Sequence, residues 1–278
     1  MAASQSEKAK RFRALHDSPG TFVIPNPWDA GTARILTVLG FQALATTSAG
    51  YAFSLGRRDG EGLVTRDEVL AHARTIVEAT DLPVSADLEN CFGDEPETVA
   101  ETIRMAAMSG LVGGSVEDAT GDSRRPIYDQ SHAVERVAAA VAAARSLPFP
   151  FILVARAENF LHGRPDLDDT IRRLQAFAAA GADVLYAPGL PSLDAIRNLC
   201  AAVSPRPVNV LAGGRGSGLT LANVAAAGVR RISVGSALSC AALGAFLRAS
   251  REIIEKGTFR FGDEAASFAD LNRFMAGK

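Results

Sequence analysis

The sequence predicts an α/β protein, and within that class a (β/α)8 (TIM) barrel that forms a single domain over residues 1–278. Eight short β-type runs alternate with eight helical segments along the chain, which is the order of strands and helices in a parallel barrel. An open, doubly wound sheet is the alternative, but no G-x-G-x-x-G motif follows the first run. The number of strand–helix units therefore favours closure into a barrel.

The first half of the chain contains a short amphipathic helix, predicted at 6–16, and four strand–helix units. The strands are predicted at 22–25, at 43–46, in the stretch that begins at 83, and at 112–116. The helices that follow them are predicted at 27–39, 65–79, 95–109 and 131–145. Thr65 and Glu68 form a capping box at the start of the second of these helices. A long loop rich in Gly and Ser is predicted at 47–63.

The second half repeats the pattern with four more units. Strands are predicted at 151–155, 183–187, 207–212 and 231–234, and helices at 168–180, 193–202, 220–227 and 237–256. A glycine-rich loop at 213–218 is either a phosphate-binding loop or a flexible turn. The remaining tail is rich in Phe, so we expect it to pack on this chain or on a neighbouring one.

Composition excludes several classes of protein. The formal net charge is −2, which gives no support for a nucleic acid or an anionic membrane as a partner. The three cysteines, Cys91, Cys200 and Cys240, have no paired spacing, which argues against a disulfide framework and a zinc cluster. The chain shows neither the apolar region of a signal peptide nor an apolar run of about 18 residues. We therefore expect a cytoplasmic protein with no membrane partner.

Two carboxylates, Asp87 and Glu89, end the third predicted strand. Alternate residues of a strand point to the same side, so both are expected to face one space. Mg²⁺ is usually held by one or two carboxylates together with water and substrate. The alternative is an ordinary helix-capping Asp beside a solvated Glu. The surrounding residues decide between the two interpretations.

Charged residues also end the fourth and fifth predicted strands: Glu117 and Asp118 on one, Arg156 and Glu158 on the other. The active sites of (β/α)8 barrels lie at the carboxyl ends of the strands. Acidic groups from three strands and one arginine would therefore share one rim. This convergence favours a metal site over simple capping.

Eight short motifs carry a resemblance to a known family, in the same order and at matching spacings. They are NPWDA at 26–30, TTSAGY at 46–51, LGRRDG at 55–60, SADLE at 85–89, VED at 116–118, ARAE at 155–158, AGAD at 180–183 and GVRRISVG at 228–235. Through them the chain resembles the isocitrate lyase/phosphoenolpyruvate mutase superfamily. It is most similar to the broad branch outside the true isocitrate lyases.

The resemblance implies Mg²⁺-dependent chemistry, with Mn²⁺ as a substitute, on small 2-oxo or 2-hydroxy carboxylates through an enolpyruvate-like intermediate. It implies that Asp87 is the principal metal ligand and that Glu89 and Glu117 hold the metal directly or through water. Arg156 matches the arginine that binds substrate oxygens, and Asp59 falls in a mobile gating loop. The segment implied to grip the substrate carboxylate consists of Ser48, Ala49 and Gly50.

Tyr51, beside that segment, either donates a hydrogen bond or proton to the substrate or packs under the loop. The carbon–carbon lyases of the superfamily carry a Lys-Lys-Cys-Gly-His segment after the fourth strand, whereas residues 120–128 contain neither Cys nor His. Cys91 is either a substitute acid or inert packing.

The first hypothesis is a Mg²⁺-dependent carbon–carbon lyase. Chemistry at a P–C bond, of the phosphonopyruvate hydrolase or phosphoenolpyruvate mutase type, and non-catalytic carboxylate binding are the alternatives.

Members of the superfamily are commonly tetramers that exchange the last helix between subunits. The long helix predicted at 237–256 and the aromatic tail are compatible with such an exchange. We therefore expect a homo-oligomer, either a dimer or a tetramer.

Overall fold

The computed structural model describes residues 3–214 and 216–277 and contains eight parallel strands. The strands are β1 (Phe22–Ile24), β2 (Leu44–Ala45), β3 (Val84–Ala86), β4 (Gly113–Glu117), β5 (Ile152–Arg156), β6 (Val184–Tyr186), β7 (Val208–Leu211) and β8 (Arg231–Ser233). They are hydrogen-bonded in the order β1-β8-β7-β6-β5-β4-β3-β2. The backbone N–H of Ala45 donates to the carbonyl of Pro25 over 3.0 Å and joins β2 to the end of β1. The prediction of a (β/α)8 barrel is confirmed.

Helices alternate with the strands around the barrel. They are α1 (Gln5–Asp17), α2 (Ala30–Val38), α3 (Ser48–Ser54), α4 (Arg66–Glu78), α5 (Pro96–Met108), α6 (Gln130–Arg145), α7 (Leu167–Ala179), α8 (Leu193–Val203), α9 (Leu221–Ala226), α10 (Ala237–Lys256) and α11 (Phe268–Met275). The predicted capping box of α4 is present, with Thr65 and Glu68 as partners. Most predicted boundaries agree with the structure to within three residues.

The prediction of an unbroken loop at 47–63 is wrong, because α3 occupies its first half. The Thr47 side chain accepts a hydrogen bond from the Gly50 N–H over 3.2 Å and begins the helix. A Cβ on Gly50 would lie 2.6 Å from Thr47 Cγ2, so only glycine fits this turn. The sequence signal was hidden because the glycine and serines of this segment favour turns as well as helix starts.

Helix α1 closes the amino-terminal end of the barrel. Its Phe12 is fully buried and packs in one core cluster with residues of the barrel strands, including Ile24 and Ile152. His16, also buried, shares a hydrogen bond of 2.8 Å with the Phe12 carbonyl. Burying an aromatic side chain removes 150–250 Å² of surface from water. The amino-terminal helix is therefore a structural plug of the barrel.

The last helix is different, since Ser239 is its only buried side chain in the part of the chain that the structure describes. Phe246 and Ile254 on this helix are 67% and 84% exposed. The tail returns to its own chain: α11 packs on α2, and Arg34 donates a hydrogen bond to the Met275 carbonyl. No helix within 3–214 or 216–277 is long and apolar enough to cross a membrane.

Candidate active site

A cleft of about 970 Å³ opens at the carboxyl ends of the strands. It lies between the loops that follow β2, β3, β4 and β5. The residues that the sequence predicted for the site or its rim and that line this cleft are Ser48, Asp59, Glu89, Glu117, Arg156 and Glu158. These residues come from four successive strand–helix units, β2 to β5, so the fold brings together what the sequence keeps far apart.

Asp87 follows β3 directly and stands behind the cleft wall. Its Oδ2 accepts hydrogen bonds from the backbone N–H and the hydroxyl of Ser48, over 3.3 and 3.1 Å. Its Oδ1 accepts from Arg156 Nη1 over 2.9 Å. The backbone N–H of Asp87 donates to the Thr46 hydroxyl over 3.0 Å. The carboxylate is thus fixed by Arg156 at the end of β5 and by the first turn of α3, and the Asp87 backbone is tied to the end of β2.

Arg156 lies at the centre of an acidic cluster that consists of Asp59, Asp87, Glu89, Glu117 and Glu158. Besides Asp87, its guanidinium contacts Glu117 over 3.2 Å and Glu158 over 2.8 Å. The guanidinium carbon lies 5.0 Å from the centre of the Tyr186 ring. Burial acts against the charged form, but the three carboxylates together hold the pKa of Arg156 well above its usual value. Arg156 is therefore a permanent cation shared among three acids.

The loop after β3 has an uncommon backbone. The strand ends at Ala86, so the predicted alternation of Asp87 and Glu89 along a strand is wrong. Glu89, Cys91 and Phe92 instead adopt positive φ angles of 49°, 60° and 62°, a region that is uncommon for residues other than glycine. The two carboxylates still lie close enough for the Asp87 charge to add to the effect of burial, which is the main cause of the raised pKa of Glu89.

A buried arginine that the sequence analysis missed holds this loop in place. The Arg136 guanidinium, on α6, donates to the carbonyls of Asn90, Gly93 and Asp94. It also lies over the Tyr128 ring, 4.3 Å from its centre. The signal that could have found it is an arginine on the otherwise alanine-rich face of a predicted helix, because a buried charge needs partners.

Asp118 was predicted to share the rim, but it turns away from the cleft. The side chain is buried, its Oδ1 accepts the Glu158 N–H over 2.8 Å, and its Oδ2 pairs with Arg173 over 3.0 Å. Burial raises the pKa of Asp118 to about 6, against the effect of these partners. Asp118 therefore ties β4 and β5 to α7 and does not face a ligand.

Three carboxyl groups that line the cleft have raised pKa values, because their surroundings disfavour the ionised form. Burial, followed by the charges of Asp87 and Asp59, raises the pKa of Glu89 to about 7. Burial also raises the pKa of Glu117 well above its usual value, although Arg156 opposes this. Asp59 is largely exposed as a residue, yet burial of its carboxyl group and the Asp87 charge raise its pKa. Burial is the largest cause of each of these pKa shifts, and the charges of neighbouring carboxylates add to it.

The donor set fits a hard divalent cation. Asp59, Asp87, Glu89, Glu117 and Glu158 surround a single arginine, and carboxylate oxygens are the ligands that Mg²⁺ prefers. Among the residues that the structure describes, no three His, Cys, Asp or Glu side chains are close enough to form a complete metal cage. Because Mg²⁺ keeps several waters and is usually held by one or two carboxylates, an incomplete protein cage is compatible with it.

Three predicted residues lie at the edge of the site. The Gly50 N–H is used to cap α3, and Ala49 is half-buried on the same turn. Tyr51 stacks on His72 with ring centres 3.8 Å apart and lies beneath the loop that carries Asp59. This packing agrees with the structural alternative for Tyr51.

Two further candidates can also be placed. Cys91 is fully buried, and burial raises the pKa of its thiol to about 12, which makes it a poor proton donor for a ligand in the cleft. In the glycine-rich loop at 213–218, Arg215 lies outside the described residues. The phosphate-binding alternative for this loop stays a prediction.

Comparison with known proteins places this site in a family. The family model described as phosphoenolpyruvate phosphomutase matches residues 12–254, which include every residue of the acidic cluster. A candidate lyase/mutase from Burkholderia cenocepacia J2315 superposes with a TM-score of 0.95 and 60% identity, covering 98% of this chain and 96% of that chain.

Two enzymes with stated activities are more distant. An oxaloacetate acetylhydrolase solved with its product oxalate superposes with a TM-score of 0.88 and 26% identity, over 98% of this chain and 95% of that chain. The 2-methylisocitrate lyase of Escherichia coli K12 is 32% identical over 201 residues, which are 70% of this chain and 66% of that enzyme.

Proposed function

The chain belongs to the phosphoenolpyruvate phosphomutase family, and we propose that it is a Mg²⁺-dependent lyase that makes or breaks a C–C bond in a small 2-oxo or 2-hydroxy carboxylate. The reaction passes through an enolpyruvate-like intermediate. One observation carries the proposal: an excess of carboxylates, one of them buried and two half-buried, surrounds Arg156 at the carboxyl ends of the strands. Similarity to a 2-methylisocitrate lyase and to an oxaloacetate acetylhydrolase supports the substrate class.

The acids of the cluster have distinct roles in this proposal. Asp87 is the principal Mg²⁺ ligand, and Glu89 and Glu117 hold the ion directly or through water; Mn²⁺ is a chemically similar substitute. When bound, the ion supplies a Lewis acid that stabilises negative charge on a substrate oxygen. The raised pKa values of Glu89 and Glu117 support these assignments, because a cation would favour their ionised forms.

The substrate carboxylate is bound by positive and hydrogen-bonding groups of the chain. Arg156 provides a fixed guanidinium whose planar geometry matches a carboxylate. The Ser48 hydroxyl and the first turn of α3 provide neutral hydrogen-bond donors. The loop that carries Asp59 closes over the cleft and excludes water, which protects an enolate from stray protonation. Tyr51 supports this loop from beneath.

The reaction itself is tested with a substrate panel. Purified enzyme and Mg²⁺ are incubated with 2,3-dimethylmalate, 2-methylisocitrate, oxaloacetate, 4-hydroxy-2-oxopentanoate and phosphonopyruvate, and the products are followed by NMR. Release of pyruvate or oxalate from a carbon substrate, abolished by chelation of the metal, supports the lyase. An Asp87→Asn variant with unchanged turnover contradicts the assignment.

Chemistry at a P–C bond is the second candidate, because the matching family model is that of a phosphomutase. Turnover of phosphonopyruvate alone, with release or rearrangement of phosphate, supports this reaction over the lyase. Binding of oxalate without turnover of any member of the panel supports the third candidate, a carboxylate-binding barrel without catalysis.

We also propose that the protein is a homo-oligomer in which α10 packs on a neighbouring subunit. The exposed apolar side chains of α10, including Phe246 and Ile254, support this arrangement, since large exposed apolar patches mark interaction surfaces. Light scattering coupled to gel filtration tests it, and a monomer at micromolar concentration contradicts it.

A further inference from the structure

The cleft has more room than the reactive end of a small acid requires. We infer that the substrate has an uncharged arm beyond the carboxylate that Arg156 binds next to the acidic cluster. We also infer that the site disfavours a substrate with a second carboxylate at the end of this arm. This inference rests on the proposed function and specifies its substrate class. A cleft of about 970 Å³ is at the upper end of the roughly 300–1,000 Å³ typical of pockets for drug-sized ligands.

The charges of the cleft wall carry the argument. Seven carboxylate side chains line the cleft, at positions 59, 61, 67, 89, 101, 117 and 158, whereas the described lining contains two arginines, Arg66 and Arg156, and His162. Arg156 is shared among three carboxylates. Arg66 pairs with Glu101 over 2.8 Å. The described lining thus offers no arginine without a carboxylate partner.

Uncharged side chains also line the cleft. They include the polar side chains of Asn90, Thr98 and Thr120 and the apolar side chains of Phe92 and Leu161. A carboxylate moved from water against these side chains would lose hydration without gaining a cation, which is unfavourable. Like charges across an interface also oppose binding. A neutral arm with hydroxyl or alkyl groups matches these side chains.

This charge pattern selects among possible carbon–carbon cleavages. In a 4-hydroxy-2-oxo carboxylate, a base takes the proton of the 4-hydroxyl group, the C3–C4 bond breaks and a carbonyl forms at C4. The electron pair of the broken bond stays on C3 as the enolate of pyruvate, and a proton returned to C3 gives pyruvate. The departing half is an uncharged carbonyl compound, and no oxidant or reductant is needed.

Matched ligands test the inference by binding. Calorimetry with Mg²⁺ present first measures oxalate, which has no arm, and then 2-oxoglutarate and 5-methyl-2-oxohexanoate, whose arms have the same branched shape. We expect the uncharged ligand to bind at least tenfold more tightly than 2-oxoglutarate. If oxalate does not bind, the proposed function fails. If oxalate binds and 2-oxoglutarate binds as tightly as its uncharged counterpart, only the inference about the arm fails.

A variant separates charge from simple hydrophobic preference. Glu101→Gln removes the partner of Arg66 without removing volume, so the affinity for 2-oxoglutarate should rise at least threefold relative to that for 5-methyl-2-oxohexanoate. Glu97→Gln is the control, because Glu97 pairs with Arg104 over 3.2 Å on the same helix outside the cleft lining. A ratio that Glu101→Gln leaves unchanged overturns the electrostatic basis of the inference.

Discussion

The two ends of the barrel differ in the titratable groups that they enclose and in how those groups are balanced. At the carboxyl end, acids outnumber the one arginine at their centre, and burial raises the pKa values of Glu89 and Glu117. At the amino end, burial lowers the pKa of Arg231 to about 10 and that of His16 to about 3. The carboxyl end is an open cleft, whereas Phe12 of α1 closes the amino end.

We infer from this difference that the carboxyl end serves catalysis and that the amino end serves the stability of the fold. The acid at the amino end, Asp183, is matched by two arginines: Arg13 over 2.9 Å and Arg145 over 3.0 Å. It also accepts a hydrogen bond from the Leu153 N–H over 2.9 Å, so the charge and the hydrogen-bonding capacity of Asp183 are satisfied within the fold. The acids at the carboxyl end are not balanced in this way, and we attribute their unbalanced charge to the binding of a cation and a substrate.

The largest expected effect is that of Asp87→Asn at the carboxyl end. We expect turnover to fall by about 10²–10³-fold, the range seen when one preorganised group that stabilises developing charge is removed. The free energy of unfolding should stay the same or rise, since one like charge is removed. Steady-state kinetics measures turnover, and urea unfolding measures stability. A loss of stability that parallels the loss of turnover would contradict the assignment of catalysis, and not stability, to the carboxyl end.

Phe12→Ala tests the opposite end. Removing a fully buried phenylalanine should lower the free energy of unfolding by roughly 3–5 kcal/mol, while kcat at a temperature where the variant is folded stays unchanged. The same measurements apply, with Leu39→Ala as the control because Leu39 is 61% exposed. A fall of kcat in Phe12→Ala with little loss of stability would show that helix α1 contributes to catalysis and would contradict its purely structural role.

Arg136 should combine both effects, because it lies in the core and holds the loop that carries Glu89. Arg136→Gln should lower the free energy of unfolding by about 3 kcal/mol, as expected when a buried charged donor leaves its acceptors unpaired. It should also weaken Mg²⁺-dependent binding of oxalate in calorimetry. Arg136→Lys should recover part of both, and loss of stability with unchanged oxalate affinity would reduce Arg136 to a structural residue.

The smallest effect is a pH dependence with opposite signs at the two ends, measured by urea unfolding without metal. The pKa of Glu89 is raised from 4.5 to about 7, so its contribution to stability is present below pH 4.5 and is lost as the pH rises to about 7. The pKa of His16 is lowered from 6.5 to about 3, so its contribution is present above pH 6.5 and is lost as the pH falls towards 3.

Variants separate these two contributions between pH 4.5 and 6.5. Glu89→Gln should remove the part of the stability that falls with rising pH, and His16→Gln should remove the part that rises. Wild-type curves that neither substitution changes would contradict the assignment of these slopes.

The comparison of the ends also explains what the sequence could predict. The eight strand–helix units follow from local patterns, and so do the strand ends that carry Glu117 and Arg156. The positive φ angles at Glu89, Cys91 and Phe92 could not be predicted, because no glycine marks them. They depend on a hydrogen-bond partner, Arg136, that is more than 40 residues away along the chain.

The packing of helix α1 against the amino end of the barrel could not be predicted from the sequence either. The sequence predicted helix α1, but its pattern does not say that Phe12 enters the barrel, since that contact depends on how the closed sheet is placed. Asp118 shows the same limit. Its position at a strand end predicted the rim, while its orientation depends on Arg173, a residue from a helix much later in the chain.

The central claim is that the acidic end of the barrel binds Mg²⁺ together with a carboxylate. The most direct test measures the free energy of unfolding with oxalate present, with and without Mg²⁺, in the wild type and in Asp87→Asn. A ligand at 100 times its Kd stabilises the folded state by about 2.7 kcal/mol, so we predict a gain of this size in the wild type and little in the variant. An equal gain in both proteins, or no gain in either, would contradict the claim.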